Sequence, residues 1–194
     1  MQQTTREPRL VEHLERYLGR LAAGWERTVD GTSLPFTVGR FDDPPFADCV
    51  GFSTIGLSDH ILKSSGSAKT IRQELFALFR DPTRSLPFTE VLQVLASGLI
   101  KSGSALLRGQ VIGPRGPFWK DSALEAFYVS SPSYLPDEFA VCDLGDGHRC
   151  VFAWLIPITR AEAEYVASSG WRSFEALLER ENPDLLAADR GSCV

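Results

Sequence analysis

Leu10, Leu14, Tyr17, Leu18 and Leu21 recur at intervals of three and four, and Glu12, Glu15, Arg16 and Arg20 fill positions between them. That spacing places the apolar set on one face of an α-helix and the charges on the other. Pro8 suits a first turn, where its missing N–H forfeits nothing. An amphipathic opening helix is therefore predicted. From Leu34 to Ile55 the pattern changes to short β-prone pieces, Phe36-Thr37-Val38 and Val50-Gly51-Phe52-Ser53-Thr54, separated by the turn-forming Asp42-Asp43-Pro44-Pro45. They predict a hairpin or a neighbouring strand pair. Ile71 to Phe79 fits either period, because Ile71, Leu75, Leu78 and Phe79 share a helical face while Arg72-Gln73-Glu74-Leu75-Phe76 also suits a strand; we read it as a strand.

Val91, Leu92, Leu95, Leu99 and Ile100 fall on one face of a helix spanning Phe88 to Ile100, with Gly103 as its terminator. Leu106 to Ile112, Glu125 to Val129, Phe139 to Leu144 and Cys150 to Ile156 then read as strands, with Gly145-Asp146-Gly147 closing the last two into a hairpin. Thr159 with Glu162 has the form of a capping box and starts a helix running to about Ser169. Gly170 follows as its left-handed end, and Phe174 to Glu181 makes a short helix stopped by Pro183. Helices at the start, middle and end of a run of hairpin-linked strands indicate the α+β class: a mainly antiparallel or mixed central β-sheet flanked by helices. No repeat or low-complexity linker divides the series, so residues 1–194 are expected to form a single domain, with 1–33 an N-terminal helix and connection and 34–190 the remainder.

Charge narrows the partners. The chain of 194 residues carries 25 Asp and Glu against 20 Lys and Arg, a formal net charge of -5. That balance argues against nucleic acid, which selects basic surfaces. At 43% hydrophobic and 23% charged, the composition is that of an ordinary globular chain. The opening MQQTTREPRL contains no apolar run of a secretory leader. Val151 to Ile158, the longest strongly apolar stretch, is interrupted by Pro157 and too short to cross a bilayer. We expect no membrane association and a cytoplasmic location, in which Cys49, Cys142, Cys150 and Cys193, lacking any C-x-x-C spacing, stay reduced.

The candidate chemistry is sparse. Of the three histidines, His13 sits among charges on the opening helix and reads as a solvated side chain. Ser58, Asp59 and His60 are the one place where hydroxyl, carboxylate and imidazole cluster, but triad members usually come from separate segments, and Ser58 capping a short turn also accounts for them. Cys142, His148 and Cys150 can meet across the predicted hairpin, yet structural zinc wants four ligands, so no metal is expected. The glycines of Arg108-Gly109-Gln110-Val111-Ile112-Gly113-Pro114-Arg115-Gly116 lack a Walker lysine and a following helix, and turn geometry explains them. Glu162 and Glu164, or Asp184 and Asp189, sit where caps or solvated helix ends account for them. No cofactor and no catalytic centre are expected. Trp119, beside Phe118 and Lys120 in a loop, is the tryptophan expected to be exposed and available to a partner.

Several segments in fixed order resemble the suppressor of fused domain. They are Phe36-Thr37-Val38-Gly39-Arg40-Phe41 with Pro44-Pro45, Phe52-Ser53-Thr54-Ile55-Gly56-Leu57-Ser58, Arg72-Gln73-Glu74-Leu75, and Leu107-Arg108-Gly109-Gln110-Val111-Ile112-Gly113-Pro114. Trp154-Leu155-Ile156-Pro157-Ile158-Thr159 with Glu162, and Gly170-Trp171 with Phe174-Glu175 and Leu177-Leu178, complete the set. The resemblance spans nearly everything after residue 34. It implies an α+β fold without a known catalytic centre and a protein partner: an extended peptide captured as an added strand, or a toxin neutralised by a compact bacterial immunity protein. An acidic chain suits a basic toxin. By the same resemblance, capture would lie along the segment of Gln110, which stands where the animal proteins carry an acidic residue, with Arg108, Gln110 and Ile112 sharing one face of a strand. The alternative is that this strand is interior and already paired. His60 joins Arg108, Gln110, Ile112 and Trp119 as candidate partner-binding residues. Two other functions stay open, a regulatory peptide-binding adaptor and a hydrolase centred on Ser58, Asp59 and His60.

Overall fold

A computed structural model describes residues 6–80, 86–145 and 147–194; the first five residues and Asp146 of the predicted hairpin turn lie outside them. In chain order the elements are α1 (Arg6–Leu18), β1 (Arg20–Arg27), β2 (Ser33–Asp42), β3 (Cys49–Ile55), β4 (Leu62–Lys63), β5 (Thr70–Ile71), β6 (Gln73–Arg80) and α2 (Leu86–Ser102). They continue with β7 (Val111–Ile112), β8 (Leu124–Ser130), β9 (Val141–Gly145), β10 (His148–Thr159), α3 (Arg160–Ser169) and α4 (Trp171–Glu181). Eight strands form one sheet in the order β1-β2-β3-β6-β10-β8-β7, with β9 pairing beside the start of β10. The twelve-residue β10 organises it: one edge runs parallel to β6, while the other pairs antiparallel first with β9 and then with β8. The mixed, mainly antiparallel sheet expected from the sequence is thus observed, and β6 with β10 is its parallel pair.

Strand geometry sends successive side chains to opposite faces. Along β6, Phe76 and Leu78 join one core while Leu75, Ala77 and Phe79 join the other; along β10, Phe152, Trp154, Ile156 and Ile158 alternate in the same way with Ala153 and Leu155. This alternation into two cores resolves Ile71 to Phe79 as a strand, and burial on both faces explains the near-continuous apolar run of β10. The first core is closed by Leu10, Leu14 and Leu18 of α1 and by Phe174 and Leu177 of α4; the second is closed by Phe88, Leu92 and Ala96 of α2. Each fully buried leucine contributes about 2 kcal/mol by leaving water.

Several elements differ from their predicted extents, α4 among them, which begins at Trp171 rather than Phe174. Leu21 does not continue the opening helix. At Gly19 the backbone turns left-handed, at φ 87°, so closely against the Asp42 and Asp43 carbonyls that no β-carbon fits, and the chain enters β1. The alternation of β1 is too weakly apolar in Arg20-Leu21-Ala22-Ala23-Gly24-Trp25 to have announced a strand. Residues 106–110 form no strand, for reasons given below. Phe139 lies buried in a 3-10 turn over Asp137–Ala140, and β9 begins only at Val141. The Thr159–Glu162 capping box is present in full. Asn182, at φ 45°, ends α4 directly before Pro183.

Candidate protein-binding edge

The strand β7 is the outermost strand of the sheet on its side, paired through Val111 with Tyr128 and through Ile112 with Phe127. Its interior, doubly paired alternative is therefore corrected. Val129 accepts from the Gly109 amide at 2.8 Å and donates to the Gln110 carbonyl at 2.9 Å, and Glu125 accepts from Arg115 at 3.1 Å. Main-chain groups of an antiparallel strand alternate in direction, so Glu125, Phe127 and Val129 face β7 and the N–H and C=O of Val111 are left on the open edge.

Arg108, Gln110 and Ile112 do not share a face. Residues 107–110 close a turn in which the Gln110 amide donates to the Leu107 carbonyl at 3.1 Å and the Leu107 amide donates to the Gln110 side-chain oxygen at 2.9 Å. Gly109 adopts φ 91°, and a β-carbon there would lie 2.5 Å from the Trp171 ring. Only glycine lets the chain pass that indole, and the turn breaks the strand alternation. Arg108 consequently points to α4, donating to both oxygens of Glu175 at 2.8 and 2.7 Å beneath the Trp171 ring. Tyr128 donates to the same carboxylate at 2.8 Å; burial, then that hydrogen bond, push its hydroxyl well above the usual range and keep it a donor. Ile112 packs on the opposite, α2 side.

Two grooves flank the open edge, one on each face of the sheet. The first, about 440 Å³, is lined by Gly109, Val111, Ala163, Val166 and Ala167 between β7 and α3. The second, about 380 Å³ and more apolar, is lined by Val91, Val94, Leu95, Ile112 and Phe118 between β7 and α2. Charges rim both, including Glu90, Arg115, Glu164 and an Arg160–Glu125 pair at 2.8 Å whose arginine is solvent-facing. A strand added beyond Val111 would place alternate side chains over the two grooves.

Trp119 is not exposed. Phe118 donates to the Leu124 carbonyl and Ser122 to the Trp119 carbonyl, so the loop folds back and drives the indole against Phe79, Phe88 and Phe118 at centroid distances of 5.7, 6.5 and 5.9 Å. It is a core residue beside the second groove.

Ser58 does not cap a turn either. It is buried, and its amide donates at 2.9 Å to Glu74, whose carboxyl also receives the Gly56 amide at 3.0 Å and the Thr54 hydroxyl at 2.5 Å. Burial pushes the Glu74 carboxyl up to about 7, against the pull of the Thr54 and Ser58 hydrogen bonds. Arg72 donates to the Ser58 and Asp59 carbonyls from the other side. His60 is half-buried after this 3-10 turn, and among the described residues no hydrogen bond joins it to Ser58. The hydrolase arrangement is not assembled. Glu74 was visible in sequence only as part of a motif, because nothing local marks a carboxylate destined for complete burial.

Cys142 and Cys150 do meet, as directly opposed residues of β9 and β10, but His148 is exposed at the hairpin end. Their third neighbour is His13, which is half-buried rather than solvated: its ring stacks on Phe139 and Phe152, and Nε2 lies 3.1 Å from the Phe139 carbonyl. Among the described residues no group of three or more His, Cys, Asp or Glu side chains could hold a metal ion. Among them, too, no helix is long and apolar enough to cross a membrane.

Comparison with known proteins bears on the family and the fold. The family model of the Suppressor of fused protein matches residues 32–191. A suppressor of fused homologue from Neisseria gonorrhoeae FA 1090 superposes with a TM-score of 0.75 at 20% identity, covering 98% of each chain. A chain of a Sufu-Fu complex superposes at 0.70 with 16% identity over 97% of this chain and 92% of its own. Drosophila Suppressor of Fused gives 0.70 and 16% over 97% of this chain but 51% of its own length. No curated protein matches the chain.

Proposed function

From the premise that this chain belongs to the suppressor of fused family, a protein-binding fold, we propose that it is a non-enzymatic intracellular binding protein that captures an extended segment of a protein partner along β7. The observation that carries this reading is the outward-facing main chain of Val111 with a groove on each face of the sheet beside it. Strand addition gains affinity from main-chain hydrogen bonds and specificity from alternate side chains. The partner is a toxin domain of a bacterial polymorphic toxin system, which the chain neutralises as an immunity protein. Full-length correspondence with a compact bacterial homologue and a net charge of -5, which favours encounter with a basic toxin, support that choice over a regulatory adaptor.

The test is capture from the native cell with tagged protein, identification by mass spectrometry and co-expression with the captured domain. Capture of a lethal domain whose toxicity the chain relieves, and loss of relief in Val111→Pro with unchanged folding, is the expected result. A captured regulatory protein of no toxicity would replace immunity with the adaptor function. Full capture by Val111→Pro would move the binding face away from β7.

A further inference from the structure

We propose that Cys142 and Cys150 form a site of reversible oxidation by hydrogen peroxide, with His13 as the base that prepares Cys142. The two cysteines are directly opposed across the β9–β10 ladder, and in antiparallel pairs such residues lie about 4.5 to 5.5 Å apart at Cα, within the range a disulfide spans. Both thiols are free and buried, and their neighbour His13 is only half-buried, so oxidation requires a reagent as small as peroxide.

The Phe139 carbonyl can only accept, so in the neutral ring Nε2 carries the proton and Nδ1 is left as the acceptor. The Cys150 hydrogen bond, then those of His13 and its charge, pull the Cys142 thiol down to about 5 against burial and the nearby Asp143. Cys150 moves the opposite way, held protonated by its hydrogen bond to Cys142, by burial and by the charge of Glu74. Cys142, the thiol beside His13, is thus the nucleophile and Cys150, its cross-strand partner, the resolving thiol. Cys49, raised chiefly by burial, and Cys193, raised to about 12 by burial and Glu162, are not prepared in this way.

In the first step the Cys142 thiolate attacks one peroxide oxygen, the O–O bond breaks, and the departing hydroxide takes the proton held by His13, leaving a sulfenic acid and water. Cys150 sulfur then attacks the sulfenic sulfur, and its proton leaves with the hydroxyl as a second water. Two thiols and one peroxide give one disulfide and two waters, and a dithiol reductant restores the starting state.

The experiment treats the full chain with a small excess of hydrogen peroxide, alkylates the remaining thiols after unfolding and maps the peptides by mass. The expected product links Cys142 to Cys150 with loss of two hydrogens, leaves Cys49 and Cys193 alkylated, and reverts with dithiothreitol. Cys150→Ser should stop at a Cys142 sulfenic acid that dimedone traps. His13→Gln should slow oxidation near pH 7 by about tenfold or more, a gap that narrows as pH rises and the thiol ionises unaided. Oxidation of Cys193 or Cys49 ahead of Cys142, a Cys142 sulfinic acid formed beside an unreacted Cys150, or an unchanged rate in His13→Gln would each overturn the proposal.

Discussion

Replacing Glu74 by glutamine should remove a pH dependence of stability while leaving the fold intact. The amide oxygen can take the place of Oε1, which accepts from the Gly56 and Ser58 amides, and the side-chain NH2 can donate to the Thr54 hydroxyl oxygen. Thr54 can then turn its own proton toward the Leu75 carbonyl, 3.5 Å away. The protonated carboxyl of the native protein is accommodated by the same rotation, which is why a neutral Glu74 fits a site that also offers three donors.

The carboxyl rises from 4.5 to about 7 on folding, so the folded protein binds this proton more tightly than the unfolded chain. Its stabilising contribution is fully present below the unfolded value and is lost as pH rises through the folded one. A shift of that size corresponds to about 3 kcal/mol. Urea unfolding of the native chain and of Glu74→Gln from about pH 4.5 to about pH 8 cancels every other titration in the difference. The native chain should lose about 3 kcal/mol relative to the variant across that window. Parallel curves would refute the reasoning. A difference of opposite slope would show instead that the three donors hold the carboxylate ionised.

Arg190→Met strands the buried Glu162 carboxylate, which Arg190 contacts at 2.6 and 2.8 Å, and should cost about 3 to 5 kcal/mol in chemical denaturation. Burial alone would raise the Glu162 carboxyl, but Arg190 together with the Thr159 amide and Cys193 outweighs it and holds the group below its ordinary value, so this contribution is lost as pH falls and is separable from that of Glu74. Gly109→Ala drives a β-carbon into Trp171 at an unfavourable φ and should lower stability by about 2 kcal/mol or more, with a change in tryptophan fluorescence as the indole is displaced.

Elements built on a clear period were legible. The heptad-like leucines of α1, the apolar face of α2 and the capping box of α3 each carry their own local signal, and each helix forms, α1 without its last predicted leucine, Leu21. β1 was hidden because its identity depends on a turn at Gly19 that only the Asp42 and Asp43 carbonyls enforce. Arg108 to Ile112 looked like one strand because Gly109 gives no hint that Trp171, sixty-odd positions later, will press against it. Trp119 looked exposed because a polar loop surrounds it, yet the backbone closure from Phe118 to Leu124 turns it inward. The open edge itself could not be read from composition, since edge and interior strands of this length differ only in what the rest of the chain leaves uncovered.

The strands at the two ends of the sheet order, β1 and β7, are not equivalent. β1 is eight residues long, but irregular register at Leu21–Ala23 and Trp25–Arg27, together with charged Arg20, Glu26 and Arg27, protects it from pairing with another chain. β7 has no such break, and its protection is only its length of two residues. An added strand there gains two or three main-chain hydrogen bonds, each worth about 1 kcal/mol net, whereas micromolar binding requires about 8 kcal/mol. The grooves must therefore supply most of the affinity. Val94 is 64% exposed on α2, so Val94→Asp places a charge in the apolar groove without touching the core. Capture of the partner should weaken by about tenfold or more, the loss expected when an apolar contact is replaced by a desolvated charge, while the melting temperature stays unchanged. Undiminished capture by Val94→Asp, measured beside Val111→Pro, would show that main-chain pairing alone holds the partner and would remove the α2 groove from the binding surface.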